Sequence, residues 1–517
     1  MLHLDTDDPA DIVYSASRNA LVAALRSLIP NIHPQLWRSS THVFARFSCS
    51  LQEIMAHEAF SEYAYTDFSL LEWLRRFPTA DKIYWRNREQ TYEVAGCGIA
   101  HIIQGNSSDI SSILRLVHDA TNKATSNIRY YGGMRFYAPS DIDTVWQDFP
   151  EAAFVLPFLE CDSAEDVVFL HCTVALPIGT SVEDARNKAL QELRALEISL
   201  DRIAEQSEET KYEHISSSMA GFNKISYSKR INVPTQQHWK ENIQTALKKF
   251  TDEDLEKVVL ARRVTLHTTD KITNQPIHSI DTLGLLQERL QKAQRATAFY
   301  LQFGTDSAFF GTTPELLYQR EGRIISTEAI AGTRQRGISQ EEDEEIAEEL
   351  FNSDKDRREH ASVQRFIASA LDNLTESFTI GTVELLKLSN VQHLYAVFTG
   401  KLRTDSDDAT ILEYLHPTPA VGGTPRRAAI DFLRKHEGFD RGWYAAPVGW
   451  VNAHSAEFVV AIRSALISGS TAHIFSGAGI VAGSEANKEW QEIEIKIAPL
   501  LELFHQDHQH ISSSKSP

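Results

Sequence analysis

Two segments of the chain carry carboxylates at helical spacing. SDKDRREHASV places Asp356 and Glu359 at i and i+3; ANKEWQEIEIKI places Glu489, Glu492 and Lys496 at i, i+3 and i+7. On helices, residues so spaced share a face. Two such faces, opposed, would offer a few oxygen ligands, which suits a Mg²⁺ ion that keeps several of its waters. The Cys and His set expected of zinc is missing. The bland alternative is a pair of solvated amphipathic helices, with Glu492 and Lys496 as an ordinary i,i+4 pair. Just upstream, GAGIVAGS opens like a nucleotide loop. A dinucleotide fingerprint needs GxGxxG inside a parallel βαβ unit. Here Gly477, Gly479 and Gly483 are spaced one residue too widely, and the strand before them belongs to a hairpin series. The same glycines, lacking Cβ, could let backbone N–H groups approach a carboxylate closely.

The elements that must position these residues read as alternating strands and helices. KVVLARRVTLHT is a strand beginning at Lys257, and ELLYQR and RIIST are strands joined at Glu321-Gly322. An acidic helical stretch spans about 340–373, with a break expected near Asn352-Ser353. APVGWVN, EFVVAIRSALI and TAHIFSGAGIV close the chain as three strands; their short links require antiparallel neighbours. An arginine, Arg463, in a run as apolar as FVVAIRSALI is costly to bury without an anion. Upstream, KIYWRNREQTYEVAGCGIAHII reads as strand, polar turn and strand, and Ser181 caps a long helix. The serine-rich stretch from about 207 to 234 reads as a linker, or equally as an extended edge pairing with one half; HQDHQHISSSKSP reads as a disordered tail. The expected class is α+β, with large antiparallel sheets packed as a sandwich and flanked by helices. The expected division is 1–230, completing the sheet framework, 231–505, carrying the chemistry, and 506–517, the tail.

Bulk properties narrow the partners. The 517 residues are 42% hydrophobic and 23% charged, with a formal net charge of −19. That charge argues against nucleic acid or an anionic membrane as partner, yet a few local cations could still hold an anionic small molecule. No run of about 18 apolar residues suggests a membrane span. The start, MLHLDTDDPADIVYSA, lacks the apolar core of a signal peptide. Cys49, Cys97, Cys161 and Cys172 show no zinc spacing and are too few for a disulfide framework, so a reduced cytoplasmic protein is expected. Oligomeric state is not set by the sequence; a monomer is the simplest expectation.

Taken in order, KVVLARR, the turn Thr313-Pro314-Glu315, the loop Ala331-Gly332-Thr333-Arg334, HPTPAVGGTP, FVVAIRSA and GAGIVAGS form a specific set. The set resembles the chorismate-utilising enzymes over about residues 230–505, and YYGGMRFYAP, from Tyr130, is the most family-like piece of the first half. The resemblance implies a fold like anthranilate synthase component I and chorismate bound with Mg²⁺. Glu359 and Glu492 match direct metal ligands, and Asp356 and Glu489 match positions that reach the metal through water. Lys257 matches the general base and Glu315 the general acid. Gly332, Thr333, Gly477, Gly479, Arg463 and Lys496 match the substrate cradle, Arg463 clamping the enolpyruvyl carboxylate. The small, apolar stretch at Ala420 resembles isochorismate synthases rather than the Thr- or Lys-bearing versions that use ammonia, attack the ring or make salicylate, which leaves water as the nucleophile. His416, in the same loop, could orient substrate or be structural. KIYWRNREQTYEVAGCG resembles the menaquinone-type enzymes. Salicylate synthase, another chorismate enzyme and a non-catalytic binding protein on this fold are the alternatives.

Overall fold

The computed structural model describes residues 22–55, 69–124, 128–138, 143–164, 167–209, 225–251, 254–388 and 391–506, apart from positions 272, 274, 278 and 294. The first sixteen residues, most of the serine-rich stretch and the tail beyond 506 lie outside the described residues. Alternating apolar positions and short polar turns give one hydrogen-bonded strand network drawn from both halves of the chain. Ile225–Val233 pairs with Lys257–Asp270, which pairs in turn with Thr471–Val481. The path continues through Ser464–Ser468, Ser307–Thr313, Thr297–Gln302, Lys82–Arg86 and Tyr92–Gly105 to Ala152–Ala164.

There the network forks. One end of Ala152–Ala164 pairs with Tyr130–Met134 and the other with Val167–Pro177. From Tyr130–Met134 a second branch runs through Pro447–Val451, Ser455–Val460, Leu316–Glu321 and Ile324–Gln335 to Val391–Leu402. These pairings are antiparallel; His505–Gln506 lies parallel to Ile225–Val233. Within the serine-rich stretch, Ile225–Val233 is thus a strand paired along Lys257–Asp270 and, at Ser226 and Tyr227, with His505–Gln506.

The chain passes between the two branches at two places. Ser307–Thr313 lies on the first and Leu316–Glu321 on the second, so Pro314-Glu315 is a crossover. The run EFVVAIRSALI, expected as one strand, is two: Ser455–Val460 on the second branch and Ser464–Ser468 on the first, broken where Arg463 takes φ +53°. The crossovers are tied together. Val460 N donates to Glu315 O at 3.0 Å, Thr313 Oγ1 to Val460 O at 2.7 Å and Thr312 N to Arg463 O at 3.2 Å.

Helices cover the branches. Ser339 and Ser353 cap Gln340–Asn352 and Asp354–Leu374, accepting from Glu342 N and Asp356 N, which places the expected break at Ser353. No helix among the described residues is long and apolar enough to cross a membrane.

The core runs through both halves: Trp146 is fully buried, stacked on Phe475 and edge-on to Phe309. A buried polar knot also joins them. Asp408, at the start of helix Asp408–Leu415, accepts from Arg320 Nε and Nη2 at 2.8 and 2.7 Å and from Tyr318 OH at 3.0 Å, and it bonds His118 Nε2 at 2.8 Å. Burial alone would push its carboxyl up, but the bonds to His118 and Arg320 hold it below the usual range. Truncation would leave Arg320 buried without its counter-charge. Asp408→Ala is therefore expected to cost about 3–5 kcal/mol, read as a lower urea midpoint at unchanged m-value. Because the folded pKa is depressed, this stabilisation is complete at neutral pH and fades as pH falls below about 3.9. A loss under about 1 kcal/mol at pH 7 would contradict the role given to the knot.

Candidate active site

The two crossovers open onto a cavity of about 180 Å³. One ordered water needs roughly 10–15 Å³, so there is room for a small organic molecule. One wall is the pair Lys257–Asp270 and Thr471–Val481, in register with Lys257 opposite Val481 and Val259 opposite Gly479. A second wall is the end of Ile324–Gln335. A register shift between Ala331 and Thr333, with Gly332 at φ +72°, turns Thr333 and Arg334 towards the space. Helices Asp354–Leu374 and Ala486–Leu501 supply the acids, and the crossovers supply Glu315 and Arg463.

Every residue singled out in the sequence lines this cavity except His416: Lys257, Glu315, Gly332, Thr333, Asp356, Glu359, Ala420, Arg463, Gly477, Gly479, Glu489, Glu492 and Lys496. His416 closes helix Asp408–Leu415. Its ring Nε2–H donates to Phe136 O at 3.0 Å and packs edge-on against Phe136. Burial holds this imidazole neutral, down to about 3. Its place is that of a structural histidine, and nearness in sequence to Ala420 does not carry it into the cavity.

The polar side chains are organised as ion pairs. Lys257 Nζ lies 2.8 Å from Glu359 Oε1, Lys496 Nζ 2.6 Å from Glu492 Oε1, and Arg334 forks Asp356 at 2.6 and 3.2 Å. Burial pushes Glu359 up, but the Lys257 ammonium, with Lys496 and Lys355 beyond it, holds it below the usual carboxylate range. Of the four acids in the segment from Gly477, Glu485 and Glu494 serve elsewhere, with Lys488 and with Arg230 and Arg262.

Glu315 differs from these. It is buried at the crossover, and burial raises its carboxyl to about 7 against the pull of Lys257, with Glu328 adding to the rise. It is therefore poised to hold a proton near neutrality. Arg463 donates from Nη1 to Lys496 O at 3.1 Å and pairs with no carboxylate among the described residues. Burial, with the charge of Arg289, lowers its guanidinium to about 10. A buried guanidinium of this kind suits an incoming anion.

Gly477 and Gly479 both line the cavity. A Cβ on Gly479 would sit 3.1 Å from Lys257 Cε and 3.5 Å from its Nζ, so the missing side chain makes space for the Lys257–Glu359 pair. Gly477 O accepts from Lys496 Nζ at 3.1 Å.

Other lining residues carried no signal in the sequence. His393, from Val391–Leu402, pairs in register with Thr333, and its Nδ1 lies 3.2 Å from Gly332 O. The same nitrogen lies 3.1 Å from Thr333 Oγ1. Burial, with Arg463 nearby, keeps the ring neutral, down to about 3. Tyr444, Lys355 and Arg334 also line the cavity. Arg334 stands in the quoted AGTR loop; His393 could be found only from strand register.

The cavity thus holds Lys257, Arg334, Lys355, Arg463 and Lys496 against Glu315, Asp356, Glu359, Glu489 and Glu492, five cations against five carboxyls. The donors fit a hard divalent cation: all are oxygens, and two of the acids are held by lysine side chains that can exchange. Burial raises Glu489, and the neighbouring Glu492 charge adds to the rise while a Ser484 bond opposes it; a cation would relieve this. Elsewhere, Glu160, Asp162 and His171 place ligand atoms within 4.8 Å of one another, but Arg46 already holds Glu160 and His171 already bonds Asp162.

Comparison with known proteins agrees with this arrangement. Chloroplastic isochorismate synthase from Catharanthus roseus is 34% identical over 419 residues, 80% of this chain and 68% of that protein. Isochorismate synthase MenF from Bacillus subtilis is 37% identical over 265 residues, 51% of this chain and 54% of that protein. The solved structure of MenF, the menaquinone-specific isochorismate synthase from Escherichia coli, matches with a TM-score of 0.76 at 26% identity, covering 94% of this chain and all of that one. Residues 50–505 match the family described as "Chorismate binding enzyme". The chain belongs to this family, among its isochorismate synthases.

Proposed function

We propose that the cavity converts chorismate reversibly to isochorismate, with Mg²⁺, and that this reaction serves menaquinone biosynthesis. The observation that carries the reading is the opposition of Lys257 and a protonatable Glu315 in one cavity beside four further acids. Water adds at C2 of the ring while the C4 hydroxyl leaves. Lys257 takes the proton of the attacking water, and Glu315 delivers one to the departing oxygen, so that water is consumed and released in equal number. Arg463 offers a fork for the enolpyruvyl carboxylate. Ala420 and Val421 leave an apolar wall with no nucleophile of their own.

Glu359 and Glu492 would hold Mg²⁺ directly, with Asp356 and Glu489 acting through water. The ion, when bound, neutralises the ring carboxylate and orients the substrate. With Glu315 protonated the lining sets five cations against four carboxylates, a surplus of one that falls short of a dianion, and this supports the need for the ion. Holding a metal would take the Glu359 charge away from Lys257, which must first give up its own proton to solvent and stand neutral before it can act as base. Support for the menaquinone role comes from the MenF relatives and from the match along 94% of the chain.

The deciding assay is the purified protein with chorismate and Mg²⁺. Isochorismate is expected to accumulate, turnover to stop with chelator and to return with Mg²⁺; salicylate plus pyruvate would identify a salicylate synthase instead. Lys257→Ala is expected to abolish water addition while chorismate still binds by calorimetry; undiminished turnover would refute the assignment. Because Glu315 must be protonated to donate, kcat/KM should fall as pH rises past about 7. Glu315→Gln should lower kcat by about 10²–10⁴-fold and remove that alkaline limb; a limb that persists would point to another acid.

A further inference from the structure

The first half of the chain reaches the crossover through one side chain. Arg88 lies in the polar turn between Lys82–Arg86 and Tyr92–Gly105. Its guanidinium forks Glu328, with Nη1 2.8 Å from Oε2 and Nη2 on Oε1, and Nη1 also lies 3.4 Å from Pro314 O, the carbonyl joined to Glu315. Glu328 is buried on Ile324–Gln335 and accepts a third bond, from Tyr395 OH at 2.8 Å on the neighbouring strand. A planar fork that grips a buried carboxylate with two arms has little freedom left. The reach to Pro314 O therefore pins the crossover from behind.

We propose that Arg88 and Glu328 are positioning residues for Glu315: the ion pair fixes the Pro314-Glu315 crossover and, with it, the carboxyl of Glu315. The inference rests on the reading of Glu315 as general acid. The groups facing Glu315 are Lys257 and Lys496, which favour its ionised form, and Glu328, which opposes it. Those facing Glu328 include Arg88 and Tyr395, with Glu457 on Ser455–Val460 beside the same charges. Arg88 therefore has two effects: it holds the turn, and it tempers the field of Glu328.

The test uses the full-length enzyme with Mg²⁺ and compares kcat, KM and pH profiles. Glu328→Gln keeps the shape and, on its one carbonyl oxygen, the bonds from Arg88 Nη2 and Tyr395, but it removes the charge and the second Arg88 bond, because an amide NH2 cannot accept from Nη1. The alkaline limb should then move to lower pH, with KM for chorismate within about twofold. Arg88→Met should lower kcat at least about tenfold with KM similarly preserved, and Arg88→Lys should restore part of the loss. If Arg88→Met does not fold, Glu328→Gln and Arg88→Lys carry the test. An unmoved limb in Glu328→Gln, or unchanged kcat per folded molecule in the Arg88 variants, overturns the proposal. Wild-type enzyme without isochorismate turnover would instead overturn the function on which it rests.

Discussion

The site exists because two passages of chain cross between sheet branches side by side and are bonded to each other. Val460 N to Glu315 O and Thr313 Oγ1 to Val460 O lock one passage, and Thr312 N to Arg463 O locks the other to it. Regular strands satisfy their backbone groups with neighbours on both sides; a chain leaving one branch for another must find other partners. Here the two crossovers supply each other. That mutual satisfaction holds a carboxyl and a guanidinium at the rim of one cavity with little freedom to relax into solvent, and from it follow the raised Glu315 and the uncompensated Arg463.

Around that rim the structure settles its charges in pairs. Lys257 and Arg334, on strands, sit on Glu359 and Asp356 of helix Asp354–Leu374, Lys496 sits on Glu492 of its own helix, and Gly479 supplies the space that lets the first pair form. Such pairs, partly shielded from water, hold catalytic groups in place before substrate arrives. They also leave the cavity with little net charge, which joins substrate charge to cation charge in one electrostatic problem. Arg88 brings the first half of the chain into the same arrangement, giving that half a part in the site as well as in the sheet.

Local patterns were readable in the sequence. The i,i+3 acid pairs, the Ser353 break and the Gly322 turn depend on short-range spacing and capping, and they stand where the sequence places them. What depends on pairing between distant strands was not readable. EFVVAIRSALI contains no Gly or Pro, so nothing in it announces the break at Arg463. His393 enters the site only because the register sets it opposite Thr333. Arg88 stands in a turn that looks merely polar, some 240 positions from Glu328. His416 shows the opposite error: it is near Ala420 in sequence, but its ring is spent on Phe136.

The central claim is that acids from two separated helices converge on a divalent cation beside Lys257. Anomalous diffraction from crystals grown with Mn²⁺, an ion that accepts the same oxygen donors, tests it most directly. The account predicts a strong peak in the cavity, beside Glu359 and Glu492. A cavity without a peak, or a peak at Glu160, Asp162 and His171 instead, would contradict it.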